Sequence, residues 1–125
     1  MEKKCIDIEG ISKAGPYSHA VEVGEMLFLS GTVPVDPKTG EAVRGDIKRA
    51  TARVLENIKM ILEGAGSSLD NVVKAGVFLT DMADFSDMNE VYKTYFTSEQ
   101  PARTCVAVKQ LPGNFEVEMD IIAIK

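Results

Sequence analysis

The alternation of apolar and polar residues predicts short strands in the first third of the chain. Apolar runs at Cys5–Ile8 and Ala20–Val23 are bounded by turn residues, as strands usually are. A Gly-Glu pair at positions 24–25 makes a tight turn into a third apolar run, Met26–Ser30, so the second and third strands are expected to pair as a hairpin. The Pro, Gly and Asp residues of positions 34–45 then predict a long loop.

Two helices are predicted by apolar residues that recur at spacings of three and four. Asp46 is a suitable N-cap for the first helix, which spans about Ile47–Glu63 and is stopped by Gly64. Asp84 is the expected cap of the second helix, and Pro101 ends any continuation of it. Each helix therefore presents one apolar face for burial.

The remaining strands complete an α+β pattern. Val72–Thr80 is apolar at both alternating sets of positions, which is typical of a strand buried on both faces. Thr104–Val108 and Val117–Ile124 are the last two strands. The order β-β-β-α-β-α-β-β predicts one domain over residues 1–125, with a six-stranded mixed sheet and two helices packed on one face. Because two helices cover only one face, another subunit is expected to cover the second.

Composition narrows the classes of function. The net charge is −5, with 19 acidic and 14 scattered basic residues, so a groove that neutralises nucleic-acid phosphates is not expected. No run approaches the roughly 20 apolar residues of a membrane span. The first residues lack the apolar core of a signal peptide, so a cytoplasmic location is expected. One His and two distant cysteines, Cys5 and Cys105, form no ligand cluster, and no metal is expected.

Candidate chemistry lies on the last two predicted strands. If these strands pair around their turn, Arg103, Cys105 and Glu118 share one face of the sheet. An arginine and a carboxylate there are costly to bury unless they are paired or face a cavity. From spacing alone, a structural ion pair is favoured over a binding site.

A set of short motifs changes that balance, because together and in this order they resemble the RidA family of reactive-imine deaminases. The similarity extends from about Ile11 to Lys125. The motifs are Gly15-Pro16-Tyr17-Ser18, Leu29-Ser30-Gly31, Gly45-Asp46-Ile47, Val77-Phe78-Leu79-Thr80-Asp81-Met82, Asn89-Glu90-Val91-Tyr92, Pro101-Ala102-Arg103-Thr104-Cys105-Val106, Leu111-Pro112 and Val117-Glu118.

The resemblance implies a chorismate-mutase-like fold, a homotrimer with three sites between subunits, and a reaction without a cofactor. It also assigns roles. Arg103 matches the family arginine that grips the substrate carboxylate, which suits a planar guanidinium with parallel donors. Glu118 matches the glutamate that orients or activates the attacking water. Cys105 matches a cysteine that acts chiefly through its backbone; a small packed thiol is the alternative for its side chain.

Four further residues, Tyr17, Ser30, Gly31 and Asn89, match positions that line the family's substrate pocket. Gly31 allows close approach of backbone to a ligand, and Tyr17 offers a hydroxyl and a wall against water. Alternatives stay open for two of them. Asn89 is equally well explained as a helix-surface amide that ties down a loop, and Ser30 as a hydroxyl that satisfies nearby backbone.

Two departures from the family pattern stand near these residues. His19 occupies a position where relatives often have Gln, and a structural role with hydrogen-bond partners is favoured over a catalytic one. Gly113-Asn114-Phe115 replaces a more usual turn that contains Lys, which leaves the shape of the pocket rim open.

The expected function is therefore hydrolysis of 2-imino or 2-enamino acids, such as 2-aminoacrylate, to 2-oxoacids and ammonium. A non-catalytic module that binds small carboxylates through the same cleft is the main alternative. The endoribonuclease or translation-inhibitor role also attached to the family is a second alternative, which the acidic composition disfavours.

Overall fold

Six strands form one mixed sheet, and both long helices pack on the same face of it. The computed structural model describes residues 1–125. The elements are β1 (Lys3–Ile6), β2 (Ala20–Val23), β3 (Met26–Thr32), α1 (Ile47–Gly64), β4 (Val72–Leu79), α2 (Phe85–Tyr95), β5 (Ala102–Ala107) and β6 (Val117–Ile124), with short 3-10 turns at Leu69–Asn71, Met82–Asp84 and Pro112–Asn114. The predicted fold class and element order are confirmed.

β4 lies between β6 and β5, one strand in from the edge of the sheet. The spatial order is β1-β2-β3-β6-β4-β5, with β4 and β5 parallel and all other neighbours antiparallel. The hairpin of β2 and β3 forms as predicted, and Gly24 supplies a positive φ of 58° at its turn. The β4–α2–β5 unit is the crossover connection that a parallel pair requires.

The expectation that the last two strands pair with each other is wrong. β4 lies between them and pairs with both. Its apolar residues on both sides suit that central place, and the crossover through α2 delivers β5 to its outer edge. In the strand register, Ala75 pairs with Arg103 and Val77 pairs with Cys105, whereas Phe78 pairs with Glu118. Arg103 and Glu118 therefore project from opposite faces of the sheet.

Two strands differ from the prediction at both ends, and β3 and β4 differ at their last residue only. β1 covers Lys3–Ile6 rather than Cys5–Ile8, and β5 covers Ala102–Ala107 rather than Thr104–Val108. The chain leaves β1 at Asp7, whose carboxylate accepts a hydrogen bond from the backbone N–H of His19 at 3.2 Å. This bond ties the chain to the loop before β2 directly after the last paired residues, Ile6 and Ala20.

Helix capping agrees with the prediction for α1 and differs for α2. The Asp46 carboxylate accepts from the backbone N–H of Arg49 at 3.1 Å, as expected of an N-cap. Asp84 makes no capping hydrogen bond; it ends the 3-10 turn that precedes α2. Asp81 caps that turn instead, accepting from the N–H of Ala83 at 2.9 Å. The extra turn shifts the capping role three residues upstream.

The hydrophobic core fills the space between the helices and one sheet face. Val54 and Ile58 of α1 and Val77 and Met119 of the sheet are fully buried in a single apolar cluster. Burial of this kind is the main stabilising term for the fold. No helix combines the length and apolar character needed to cross a bilayer.

The opposite sheet face has no cover within the chain. Phe28 and Val106 on this face are 42% and 40% exposed. A polar group interrupts the apolar surface at the centre, where the Asp120 carboxylate lies over Gly76 in the space that a Cβ would occupy. Apolar side chains exposed together on one sheet face are typical of a surface that contacts another molecule.

His19 fixes the loop between β1 and β2. Its contacts agree with the structural role that the sequence favoured. Its ring is 5% exposed. Nδ1 accepts from the backbone N–H of Ile8 at 2.8 Å, and Nε2 lies 3.5 Å from the carbonyl oxygen of Ser12, which it approaches as a donor. The ring thus holds the segment that leads to Tyr17.

Replacing His19 tests this role. We expect His19→Leu to lower the free energy of unfolding by about 1–3 kcal/mol, because the buried N–H of Ile8 loses its acceptor. His19→Asn keeps an acceptor near the position of Nδ1 and should recover part of that loss. Denaturant unfolding at one fixed protein concentration measures both. A leucine variant as stable as the parent would contradict the assigned role.

Candidate active site

Glu118 opens onto a cleft at one end of the uncovered sheet face. The cleft has a volume of about 430 Å³, and four predicted site residues line it together: Tyr17, Ser30, Gly31 and Glu118. β3 contributes the serine and glycine, and β6 contributes the glutamate. The β1–β2 loop contributes the tyrosine, and the turn at residues 112–115 forms the remaining rim.

The position of the Glu118 carboxylate depends on Gly31. A Cβ at Gly31 would overlap the carboxylate of Glu118, so only glycine leaves the space that this side chain occupies. Burial raises the pKa of Glu118 above its usual value, and the neighbouring Asp120 charge raises it further. None of the four salt bridges within the chain involves Glu118. No basic side chain of the same chain therefore neutralises its charge.

Tyr17 and Ser30 form another part of the cleft wall. The Tyr17 hydroxyl accepts from the backbone N–H of Ala14 at 3.2 Å, and the side chain is 42% exposed. The Ser30 hydroxyl donates to the carbonyl oxygen of Ser18 at 2.6 Å. Ser30 thus satisfies backbone, as its alternative role required, and at the same time holds the tyrosine loop against β3.

The unusual turn at the rim is anchored by Arg44. Its Nη1 donates to the carbonyl oxygen of Asn114 at 2.9 Å, and its guanidinium lies 4.5 Å from the ring centroid of Phe115. The backbone N–H of Gly45 also donates to Glu116 at 2.6 Å. The turn at residues 112–115, which lacks the more usual Lys, is therefore held to the loop before α1. Sequence reasoning missed Arg44, because its partners lie 70 residues away along the chain.

Arg103 lies in a separate groove beside α2, with a volume of about 320 Å³. Its Nη1 donates to the Asn89 side-chain oxygen at 2.7 Å. The guanidinium is 4.8 Å from the ring centroid of Tyr92 and 5.6 Å from that of Phe85. Cation–π contact and one amide bond therefore fix a half-buried cation. Asn89 does tie down a neighbour, but that neighbour is the arginine rather than a loop.

The donors of Arg103 remain largely free. A guanidinium has five N–H groups, and the Asn89 bond uses one of them. Arg103 takes part in none of the salt bridges within the chain. The site therefore offers a positioned cation that is able to bind a carboxylate with parallel hydrogen bonds.

Cys105 lines neither the cleft nor the groove. Its side chain packs against the hydrophobic core, and it is a free thiol. Burial raises the pKa of the Cys105 thiol, although the nearby Arg103 charge acts in the opposite direction. A protonated, packed thiol is a poor nucleophile. No group of three or more His, Cys, Asp or Glu side chains is arranged to hold a metal ion.

The predicted site residues therefore fall into two half-sites. Tyr17, Ser30, Gly31 and Glu118 form the cleft, and Asn89 and Arg103 form the groove. The two lie on opposite sides of the sheet, because Arg103 pairs with Ala75 of β4 and Glu118 pairs with Phe78, and these two β4 residues project from opposite faces. Within one chain the arginine and the glutamate do not converge.

Comparison with known proteins identifies this architecture. The family model described as endoribonuclease L-PSP matches residues 8–125. A RutC family protein of Pyrococcus abyssi is 52% identical over 126 aligned residues, which cover 100% of this chain and 99% of that protein.

Solved structures agree with that match. A crystal structure from Thermotoga maritima MSB8 has a TM-score of 0.93 at 52% identity, covering 100% of this chain and 98% of that one. The crystal structure of E. coli TdcF with bound serine has a TM-score of 0.92 at 39% identity, with 98% of each chain covered. The similarity includes the strands that carry both half-sites.

The charge of Asp120 is predicted to tune Glu118. Asp120→Asn removes a neighbouring negative charge, so the pKa of Glu118 should fall, yet stay above its usual value because burial persists. A pH titration of the Glu118 side-chain carboxyl by carbon-detected NMR measures this shift. Asp87→Asn on α2 is the matched control and should leave it unmoved. An unchanged Glu118 titration in Asp120→Asn would show that the two carboxylates do not interact.

Proposed function

This chain belongs to the endoribonuclease L-PSP family, the family of the RutC and RidA proteins, and from that premise we propose that it hydrolyses 2-iminoacids to 2-oxoacids and ammonium. The single observation that carries the proposal is the pair of half-sites. One presents a positioned cation and the other a carboxylate with a raised pKa, and neither is neutralised within the chain.

Assembly completes the site in this proposal. The uncovered sheet face supplies the contact surface, with Phe28 and Val106 exposed on it. We propose a homotrimer in which the Arg103 groove of one subunit closes over the Glu118 cleft of its neighbour. The number of subunits, three, rests on the resemblance to RidA proteins. A second chain is needed in this proposal because the two half-sites are separated within one chain.

Arg103 acts first, by binding the substrate. Its free N–H groups donate two parallel hydrogen bonds to the carboxylate of the iminoacid, and Asn89 together with the Tyr92 ring keeps the guanidinium plane in place. Fixing the carboxylate places the adjacent imine carbon at the mouth of the Glu118 cleft. Positioning of this kind removes much of the entropic cost of the reaction.

Glu118 then handles the protons. Its carboxylate accepts a proton from a water molecule as the water oxygen attacks the imine carbon, which forms a tetrahedral carbinolamine. Glu118 returns that proton to the nitrogen, and it then carries the hydroxyl proton of the carbinolamine to the same nitrogen. The C–N bond breaks, and ammonia leaves as the C=O bond forms. A pKa raised by burial brings a carboxyl closer to the pH at which it both takes and returns a proton efficiently.

The rest of the cleft keeps the reacting centre enclosed. Tyr17 covers one side, and Gly31 leaves room for the carboxylate of Glu118 beside the substrate. Each step uses only water and side chains, so the proposed reaction needs no cofactor. One acid–base group contributes roughly 10²–10⁴-fold, which suits a reaction that also proceeds slowly in water.

A binding module without turnover is the second candidate, and the serine-bound structure of the relative TdcF favours considering it. Serine carries a carboxylate and a small side chain, which the same two half-sites suit. Clearance of 2-aminoacrylate, generated in place by an amino-acid dehydratase, separates the candidates. Accelerated release of ammonium supports the deaminase; binding of 2-oxoacids with no acceleration supports the module.

Substituting Arg103 tests the proposal. We expect Arg103→Ala to lower kcat/KM for 2-aminoacrylate by at least about 100-fold, because the substrate carboxylate loses its charged partner. Arg103→Lys should retain part of the activity, since it keeps the charge and loses the forked donors. The coupled dehydratase assay measures both variants.

Arg49→Ala, which removes an exposed arginine on α1, is the matched control and should keep full activity. Size-exclusion chromatography with light scattering should give the same oligomer for all of these variants. Full activity in a correctly assembled Arg103→Ala protein would overturn the assignment.

A further inference from the structure

The Arg103 groove contains a second cation, Lys93, that the proposed chemistry does not use. Lys93 lies on α2 one turn after Asn89, and both residues line the groove together with Arg103. None of the side chains that line the groove is acidic. The wall of the groove therefore carries two positive charges and no negative charge.

The ammonium group of Lys93 has no ion-pair partner within the chain. Glu90 precedes it by three residues on α2, but the Glu90 carboxylate lies 2.7 Å from the Nζ atom of Lys48 on α1. The hydrogen bond from Lys48 is the main reason that the pKa of Glu90 is lowered, and the Lys93 charge adds a smaller effect. Lys93 takes part in none of the salt bridges within the chain. Its charge is therefore available to groups that enter the groove.

The balance of charge in the assembled site shows what a second cation contributes. In the proposed assembly, Arg103 of one subunit faces Glu118 of its neighbour, and Asp120 adds a further negative charge beside Glu118. With both carboxyls ionised, one positive charge faces two negative charges, and the whole chain has a net charge of −5. An anionic iminoacid that approaches such a site is repelled. The positive charge of Lys93 offsets that repulsion.

We propose that Lys93 recruits the anionic substrate to the groove before the Arg103 guanidinium binds the substrate carboxylate. The inference rests on the proposed function. Lys93 is exposed, whereas Arg103 is half-buried. A hydrated ammonium on a flexible stem acts over a distance as a point charge, whereas a guanidinium forms directed parallel hydrogen bonds at contact. Lys93 takes no part in the chemical step, and it acts on any small carboxylate anion.

The kinetics of recruitment differ from those of a structural role. Loss of the Lys93 charge raises KM and leaves kcat unchanged, because Arg103 and Glu118 stay in place once the substrate is bound. Dissolved salt screens the attraction, so the effect disappears at high ionic strength. A structural role is the alternative, since Lys93 lies in the last turn of α2, where a cation stabilises the helix dipole. Loss of that role lowers the stability of the protein without producing a KM effect that salt removes.

Reversing the charge of Lys93 is the test. We expect Lys93→Glu to lower kcat/KM for 2-iminopropanoate by about threefold to fivefold at roughly 0.01 M ionic strength, and by less than about 1.5-fold at roughly 1 M. Lys93→Gln should change kcat/KM in the same direction by less, and Lys93→Arg should retain the parent value. An amino-acid oxidase generates the substrate in place from alanine, and its oxygen uptake records the rate of supply under each condition.

Lys59→Glu is the matched control, because it reverses the charge of an exposed lysine on α1 that lines neither the cleft nor the groove. It should change kcat/KM by less than about 1.5-fold at either ionic strength. Thermal unfolding and light scattering show whether each variant folds and assembles, and Lys93→Gln keeps the test available should Lys93→Glu fold poorly. Equal effects of Lys93→Glu and Lys59→Glu at low salt, or a loss in Lys93→Glu that persists at high salt, would overturn the inference.

Calorimetric binding of pyruvate separates this inference from the proposed function. If no imine is hydrolysed but Lys93→Glu weakens pyruvate binding at low salt only, recruitment by Lys93 stands and the deaminase proposal fails. If hydrolysis is normal and Lys93→Glu matches the control, recruitment fails alone. If imine is not hydrolysed and pyruvate does not bind, both are overturned.

Discussion

The position of β4 between β5 and β6 is the constraint on which the rest of the structure depends. Its register with these two strands pairs Ala75 with Arg103 and Phe78 with Glu118, which places Arg103 on the helix-covered side of the sheet and Glu118 on the open side. A single chain therefore cannot bring its cation and its carboxylate to one ligand. One sheet face also lacks cover within the chain. In the proposed oligomer, a neighbouring subunit both covers this face and completes the site.

Each half-site is positioned by neighbours that take no part in the proposed chemistry. Asn89 and Tyr92 hold the guanidinium, Gly31 makes room for the carboxylate, and Asp120 adds to the effect of burial on its pKa. Such support matters because a reaction that depends on placement tolerates little movement of its few polar groups.

Sequence patterns predicted the elements but not how the last strands pair. Apolar periodicity is local, so it located α1 and the central strand Val72–Leu79 well; pairing is a contact between distant segments, and periodicity does not encode it. The motif resemblance pointed to Arg103 and Glu118, whereas the assumed pairing of the last two strands placed them on one face of one chain. Arg44 escaped notice because its hydrogen-bond partner, Asn114, lies 70 residues away along the sequence. Asp84 was misjudged as a cap because Asp81, three residues earlier, competes for that role.

Complementation between two inactive variants tests the shared site most directly. Chains carrying Arg103→Ala and chains carrying Glu118→Gln would be mixed in equal amounts, unfolded and refolded together, so that mixed oligomers form. If every site takes its arginine from one chain and its glutamate from the next, random assembly restores about a quarter of the sites, and imine hydrolysis returns to about that fraction of the parent activity. Mixed oligomers that form and remain inactive would contradict the account.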